Sequence, residues 1–249
     1  MTTVLLHGFC EDHTIWNAIL SHSEQKENLV CLDLPGFGDQ ASNFAEGLTI
    51  ERMAAFVKKE VEKIKDTEII MIGHSLGGYV TLAFAAMYPK LLSGIGLFHS
   101  TALPDSEERK NTRLKTIDFV EANGAEAFHR VLIPNLFKSN TDQAIIEETI
   151  HMAKSAASEG IIAALHAMRD RPNSISVLEN FEMPVLFIAG ESDVLIPKST
   201  ILEQAAICKT AQVEILFNSA HMGLLEESRR SAFIIDAFMN FVKTMRHEV

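Results

Sequence analysis

The sequence predicts an α/β protein on a doubly wound, mostly parallel sheet of about six strands, and three observations lead there. Short apolar runs rich in β-branched residues recur along the chain. They are continuously apolar rather than alternating, the pattern of strands buried on both faces of a parallel sheet. Helical periodicities separate them, as right-handed crossovers require.

Val4-Leu5-Leu6 is the first strand and ends at His7-Gly8. The second, Asn28–Leu32, is closed by the turn-forming run Asp33-Leu34-Pro35-Gly36-Phe37-Gly38. Glu68–Ile72, Gly94–Phe98, Pro184–Ile188 and Val213–Phe217 supply the remaining strands. Thr49 is the expected N-cap of a helix over Ile50–Lys65, whose Met53, Ala54, Phe56, Val57, Val61 and Ile64 fall at helical spacing. Leu76–Tyr88 reads as a small, apolar helix that stops before Pro89. A final helix is expected to carry Phe233, Ile234, Ala237, Phe238, Phe241 and Val242 along one buried stripe.

One stretch breaks the rhythm. From about Thr101 to Asn180 there is only helical pattern, punctuated by Pro104, Gly124, Pro134, Gly160 and Pro172. It is too long for a single crossover. Residues 101–180 are therefore expected to form a helical cap over one end of the sheet, with 1–100 and 181–249 forming the core domain.

Composition narrows the function. The 249 residues are 47% hydrophobic and 22% charged, which describes a globular protein with a sizeable core. A formal net charge of −11 repels phosphate backbones and anionic lipid, so neither nucleic acid nor membrane is an expected partner. The first residues lack a basic segment followed by an apolar one, and no apolar run approaches the roughly 18 residues that span a bilayer. Cys10, Cys31 and Cys208 cannot all pair and lack metal-site spacing. The expectation is a soluble cytoplasmic monomer or homodimer without metal or cofactor.

The third strand runs into Gly73-His74-Ser75-Leu76-Gly77-Gly78 and then a helix. A serine on so sharp a turn needs small neighbours two positions either side, and Gly73 and Gly77 supply them. No Lys-Ser/Thr pair follows these glycines, which excludes a nucleotide-binding P-loop. Gly94-x-Gly96 lacks a third glycine, so a dinucleotide site fails as well. A serine hydroxyl needs a base, and the base an orienting acid. His221 follows the sixth strand and Asp193 the fifth, so both belong to the same rim of the sheet as Ser75.

With the order Ser, Asp, His, the chain resembles the α/β-hydrolase superfamily over nearly its full length. The matching segments are His7-Gly8-Phe9 with Trp16 downstream, Asp33–Gly38, Gly73–Gly78, Gly190–Pro197 and the turn at His221. The resemblance implies Ser75 as nucleophile, His221 as base and Asp193 as its partner, with the backbone amides of Phe9 and Leu76 as oxyanion hole. Such proteins usually begin with an antiparallel hairpin, expected here to be missing because the first strand lies within four residues of Met1. Many relatives carry Ser where this chain has Gln40, a change expected to alter the wall of the site. Cys10 is read as a packing thiol.

His74 and His99, at strand ends, and Phe137 of the cap are expected to contact substrate. His7 and His74 also match positions where relatives carry structural histidines. Phe119, Phe128, Leu132, Ile133, Leu136, Ile161, Ile162, Leu165 and Met168 give the cap an apolar underside. In the run Glu107–Lys115, either Arg109 or Arg113 could turn inward to hold a carboxylate. The expected activity is cleavage of a small-molecule ester or thioester with a small or medium acyl group. A lyase, an acyltransferase or perhydrolase on the same fold, and a ligand receptor that retains the triad are the alternatives.

Overall fold

Six strands make one sheet: β1 (Thr2–Leu6), β2 (Leu29–Leu32), β3 (Ile69–His74), β4 (Leu92–Phe98), β5 (Val185–Gly190) and β6 (Ala211–Leu216). They come from a computed structural model that describes residues 1–43, 47–66 and 68–247. The spatial order is β2-β1-β3-β4-β5-β6, and every pairing is parallel. Residues of β1, β3, β4 and β5 are all buried, which is why these strands read as unbroken apolar runs.

The helices are α1 (Asn17–His22), α2 (Ile50–Val61), α3 (Leu76–Met87), α4 (Glu107–Leu132), α5 (Gln143–Ala153), α6 (Ser158–Asp170), α7 (Ile175–Asn180), α8 (Lys198–Ala205), α9 (Gly223–Glu226) and α10 (Ser228–His247). The crossover from β1 to β2 and that from β3 to β4 run in opposite directions across the sheet. Right-handedness therefore puts α1 and α3 on opposite faces. The reversal lies between β1 and β3, and it opens a crevice at their carboxyl ends where ligands bind in such sheets.

Two helices differ in detail from expectation. Thr49 caps α2 by accepting the Arg52 N–H at 3.2 Å, but the helix ends at Val61. Beyond it, Lys63 and Ile64 donate to carbonyls only three residues back, so the chain tightens before Lys65. In α10, Phe233 and Phe241 are 73% and 39% exposed, off the buried stripe. The buried apolar side chains are Ala232, Ile234, Ile235, Phe238, Met239 and Val242, a stripe rotated about the helix axis from the expected one. Phe238 and Val242 pack onto β4 at Gly94.

Helices α4–α7 lie between β4 and β5, within the segment expected to form the cap. The long α4 breaks at Gly124 (φ 80°) and packs along α6, while α7 touches α3. His129 of α4 is buried, and among the described residues neither ring nitrogen has a hydrogen-bond partner. Burial holds its imidazole below the ordinary value. The unfolded chain therefore takes up a proton near pH 6.5 that the folded chain refuses, so stability falls as pH drops through that value. His129→Leu is expected to lose less Tm than wild type between pH 7.5 and pH 5.5, checked by calorimetry.

Candidate active site

The site begins with backbone strain. The non-glycine residues with positive φ among those described are Cys10 (61°), Ser75 (49°) and His99 (49°), just beyond the carboxyl ends of β1, β3 and β4. Strain of this kind persists only where surrounding structure over-determines it, and functional sites collect it. At Ser75 the cause is visible. A Cβ on Gly73 would lie 2.1 Å from the Gly77 backbone, and one on Gly77 would lie 2.3 Å from the Leu6 carbonyl oxygen. Only glycines let β3 turn into α3 so abruptly. The turn is fixed by the Ser75 N–H donating to the Phe98 carbonyl (2.9 Å) and by the Ser100 hydroxyl donating to the Ser75 carbonyl (2.7 Å).

Ser75, His221 and Asp193 meet at that rim. Ser75 Oγ lies 3.0 Å from His221 Nε2, and His221 Nδ1 lies 2.8 Å from Asp193 Oδ2. Asp193 Oδ1 accepts the N–H groups of Leu195 (2.9 Å) and Ile196 (3.0 Å). Burial alone would raise the Asp193 carboxyl; the imidazoles of His221 and His99 beside it hold it well below the usual carboxylate range. It stays ionised, so His221 Nδ1 carries the proton and Nε2 is free to accept the serine hydroxyl. The amides of Phe9 and Leu76 enter no hydrogen bond among the described residues, and Leu76 opens α3, where such amides point toward a developing anion.

The expected substrate contacts divide differently. A cavity of about 210 Å³ in front of Ser75 is lined by Phe9, Glu11, Tyr79 and His221 on one side, and by Arg109, Arg113, Phe128, Leu132, Leu136, Leu165 and Met168 of the segment between β4 and β5 on the other. His74 and His99 are not among its lining residues; both are fully buried behind the triad because their strand-end backbone turns them into the protein. Phe137 lines a neighbouring cavity with Asp193 and His221 instead. Gln40 sits in a turn and accepts from Asn43, away from the site wall. Cys10 is buried and its thiol is pushed well up by burial, which leaves it inert packing.

The buried histidines are structural in distinct ways. His7 Nε2 accepts the Leu34 N–H (2.9 Å), tying the Asp33 loop to β1, and burial keeps the ring neutral. His74 faces two acceptors, Glu11 Oε2 and the His221 carbonyl oxygen, each at 3.0 Å. Burial opposes charge on His74, yet the Glu11 carboxylate outweighs it and holds the ring above the ordinary value. Glu11 also accepts the Gly8 N–H at 2.6 Å, so it fixes the turn that presents Phe9. Sequence reasoning missed Glu11; its position directly after the His-Gly turn was the available signal.

Asp105, just before α4, gathers three guanidiniums: Arg171 at 2.7 Å, Arg113, and Arg109 at 3.8 Å. One carboxylate cannot neutralise three cations, and two of them, Arg109 and Arg113, line the cavity opposite Glu11. Arg171 also stacks over Tyr79, 4.0 Å from its centroid. His99, Asp193 and His221 have the residue types of a metal cluster. Ligand atoms of tetrahedral zinc sit about 3.3 Å apart. Here the separations from Asp193 Oδ2 are 3.0 and 2.8 Å, those of N–H···O bonds.

A family model described as the alpha/beta hydrolase fold matches residues 3–111. The structure superposes on a thermophilic esterase from Thermogutta terrifontis with TM-score 0.87 and 29% identity, over 97% of this chain and 90% of that one. The chain has the α/β-hydrolase fold. It is 22% identical over 250 residues to the monoacylglycerol lipase ABHD6 of Mus musculus, covering 95% of this chain and 74% of that protein. It is also 25% identical over 252 residues to a putative 2-succinyl-6-hydroxy-2,4-cyclohexadiene-1-carboxylate synthase of Bacillus subtilis, covering 96% and 90%. Among the described residues, no helix is long and apolar enough to cross a membrane.

Proposed function

We propose that the chain is a serine hydrolase that cleaves an ester or thioester of a small or medium acyl group through an acyl-enzyme on Ser75. The observation that carries this reading is the continuous chain from Ser75 Oγ through His221 to Asp193, opening on a largely apolar cavity. The lipase and esterase among its relatives support ester cleavage. At about 210 Å³ the cavity is smaller than the roughly 300–1,000 Å³ of drug-sized ligand sites, which favours a short acyl chain.

In this mechanism the Ser75 hydroxyl attacks the carbonyl carbon as His221 Nε2 takes its proton. Negative charge moves onto the carbonyl oxygen, where the amides of Phe9 and Leu76 stabilise it; losing one such donor typically costs about 100- to 1,000-fold. His221 returns the proton to the leaving alcohol or thiol. Water, deprotonated by His221, then releases the acid and restores Ser75. The test is a p-nitrophenyl ester series from acetate to dodecanoate, with maximal kcat/KM expected at the short end. No turnover at any length would defeat the reading.

A second reading is favoured by the two arginines in the cavity wall. An elimination in which Ser75 acts as base toward a carboxylated substrate would use Arg109 or Arg113 as anchor, and the Bacillus subtilis synthase gives it a relative. A hydrogen bond to a charged group contributes about 1.5–3 kcal/mol. On that reading Arg113→Leu raises KM for an acidic substrate by about 10- to 100-fold and leaves a neutral ester unaffected. Equal effects on both substrates would remove the anchor.

A further inference from the structure

Asp193 has a second imidazole. His99 Nδ1 lies 3.0 Å from Oδ2, the same oxygen that accepts from His221 Nδ1 at 2.8 Å. The other nitrogen of His99, Nε2, faces the N–H of Gly223 at 3.2 Å and must accept there. Nδ1 also faces the Gly190 N–H at 3.2 Å, but the ionised Asp193 oxygen at 3.0 Å is its nearer and charged partner, so the proton is placed on Nδ1 and His99 donates it to Asp193. Burial lowers the His99 ring to about 4, so it remains neutral across the working range. The side chain thus joins the end of β4, the loop after β5 and the loop after β6, each of which carries or borders a triad residue. The positive φ at His99 directs the ring inward to make these bonds.

We propose that His99 is a positioning residue, which locks Asp193 in register and shares the charge on its Oδ2 with His221. Sharing has a chemical consequence. Charge drawn toward His99 is charge withheld from the His221 imidazolium, and removing His99 returns it. The other polar or charged groups facing His221 are Ser75 and His74, the latter backed by Glu11; Arg109 and Arg113 line the cavity opposite. None of them contacts Asp193 Oδ2 among the described residues.

The inference rests on the serine hydrolase reading, and its test is chosen so that the two can fail separately. Asparagine at position 99 puts an amide donor where Nδ1 stands and tolerates positive φ, whereas glutamine reaches toward Gly223 and leaves Oδ2 with one imidazole. The rate of Ser75 phosphonylation by a fluorophosphonate is followed from pH 5 to pH 9 for wild type, His99→Asn and His99→Gln. No labelling of Ser75 in wild type would sink the hydrolase reading itself. With labelling present, His99→Asn is expected to stay within about threefold of wild type, with an unchanged acid limb. His99→Gln is expected to fall at least tenfold in maximal rate, with its acid limb moved up by about one pH unit. If the two variants share one profile, or if both merely label more slowly without movement of the limb, His99 is only a packing residue and the proposal is overturned.

Discussion

Ser75→Ala is expected to lose about a millionfold in kcat on the best p-nitrophenyl ester while remaining folded. The loss follows from geometry: Ser75 Oγ is the atom within 3.0 Å of His221 Nε2. Residual rate, about a thousandfold or more over water, would come from the oxyanion amides and from binding alone. The check is steady-state turnover beside a thermal melt, because a small side chain on this turn leaves the glycine contacts untouched. Turnover equal to wild type would remove Ser75 from the chemistry.

The second large effect is at the acid. Asp193→Asn is expected to lower kcat by about 10,000-fold with little change in KM, as measured on the same ester. Asp193 accepts from four N–H groups, two imidazole and two backbone. An amide offers only one oxygen and brings two hydrogens of its own. With its oxygen at the Oδ2 position its NH2 group meets the N–H groups of Leu195 and Ile196; turned to satisfy those two donors, it takes the acceptor from both imidazoles and offers them a donor. His221 then favours the tautomer with its proton on Nε2, where it blocks the serine hydroxyl. A fall of less than tenfold would show that His221 keeps its orientation without the carboxylate.

Much of this was legible in the sequence because the responsible forces are local. Strands buried on both faces have no polar positions to interrupt them, so β1, β3, β4 and β5 announce themselves. The elbow was equally readable, since a Cβ at Gly73 or Gly77 collides with backbone whatever the rest of the chain does. What escaped depends on partners distant in sequence. His74 and His99 stand at strand ends like pocket residues, yet Glu11 and Asp193, brought by other segments, fix them behind the triad. Asp105 collects guanidiniums from α4 and from Arg171 beyond α6, a meeting that only the folding of the segment between β4 and β5 creates. In α10 the apolar residues cover more than one face, so periodicity alone could not choose which of them would meet β4.

The most direct measurement is mass spectrometry of the protein quenched in acid milliseconds after mixing with p-nitrophenyl butyrate, followed by peptide mapping. A transient mass gain equal to one butyryl group is expected on the peptide that contains Ser75, absent from Ser75→Ala, together with a burst of p-nitrophenol. Steady turnover with an adduct on another residue, or a burst undiminished in Ser75→Ala, would contradict an acyl-enzyme on Ser75.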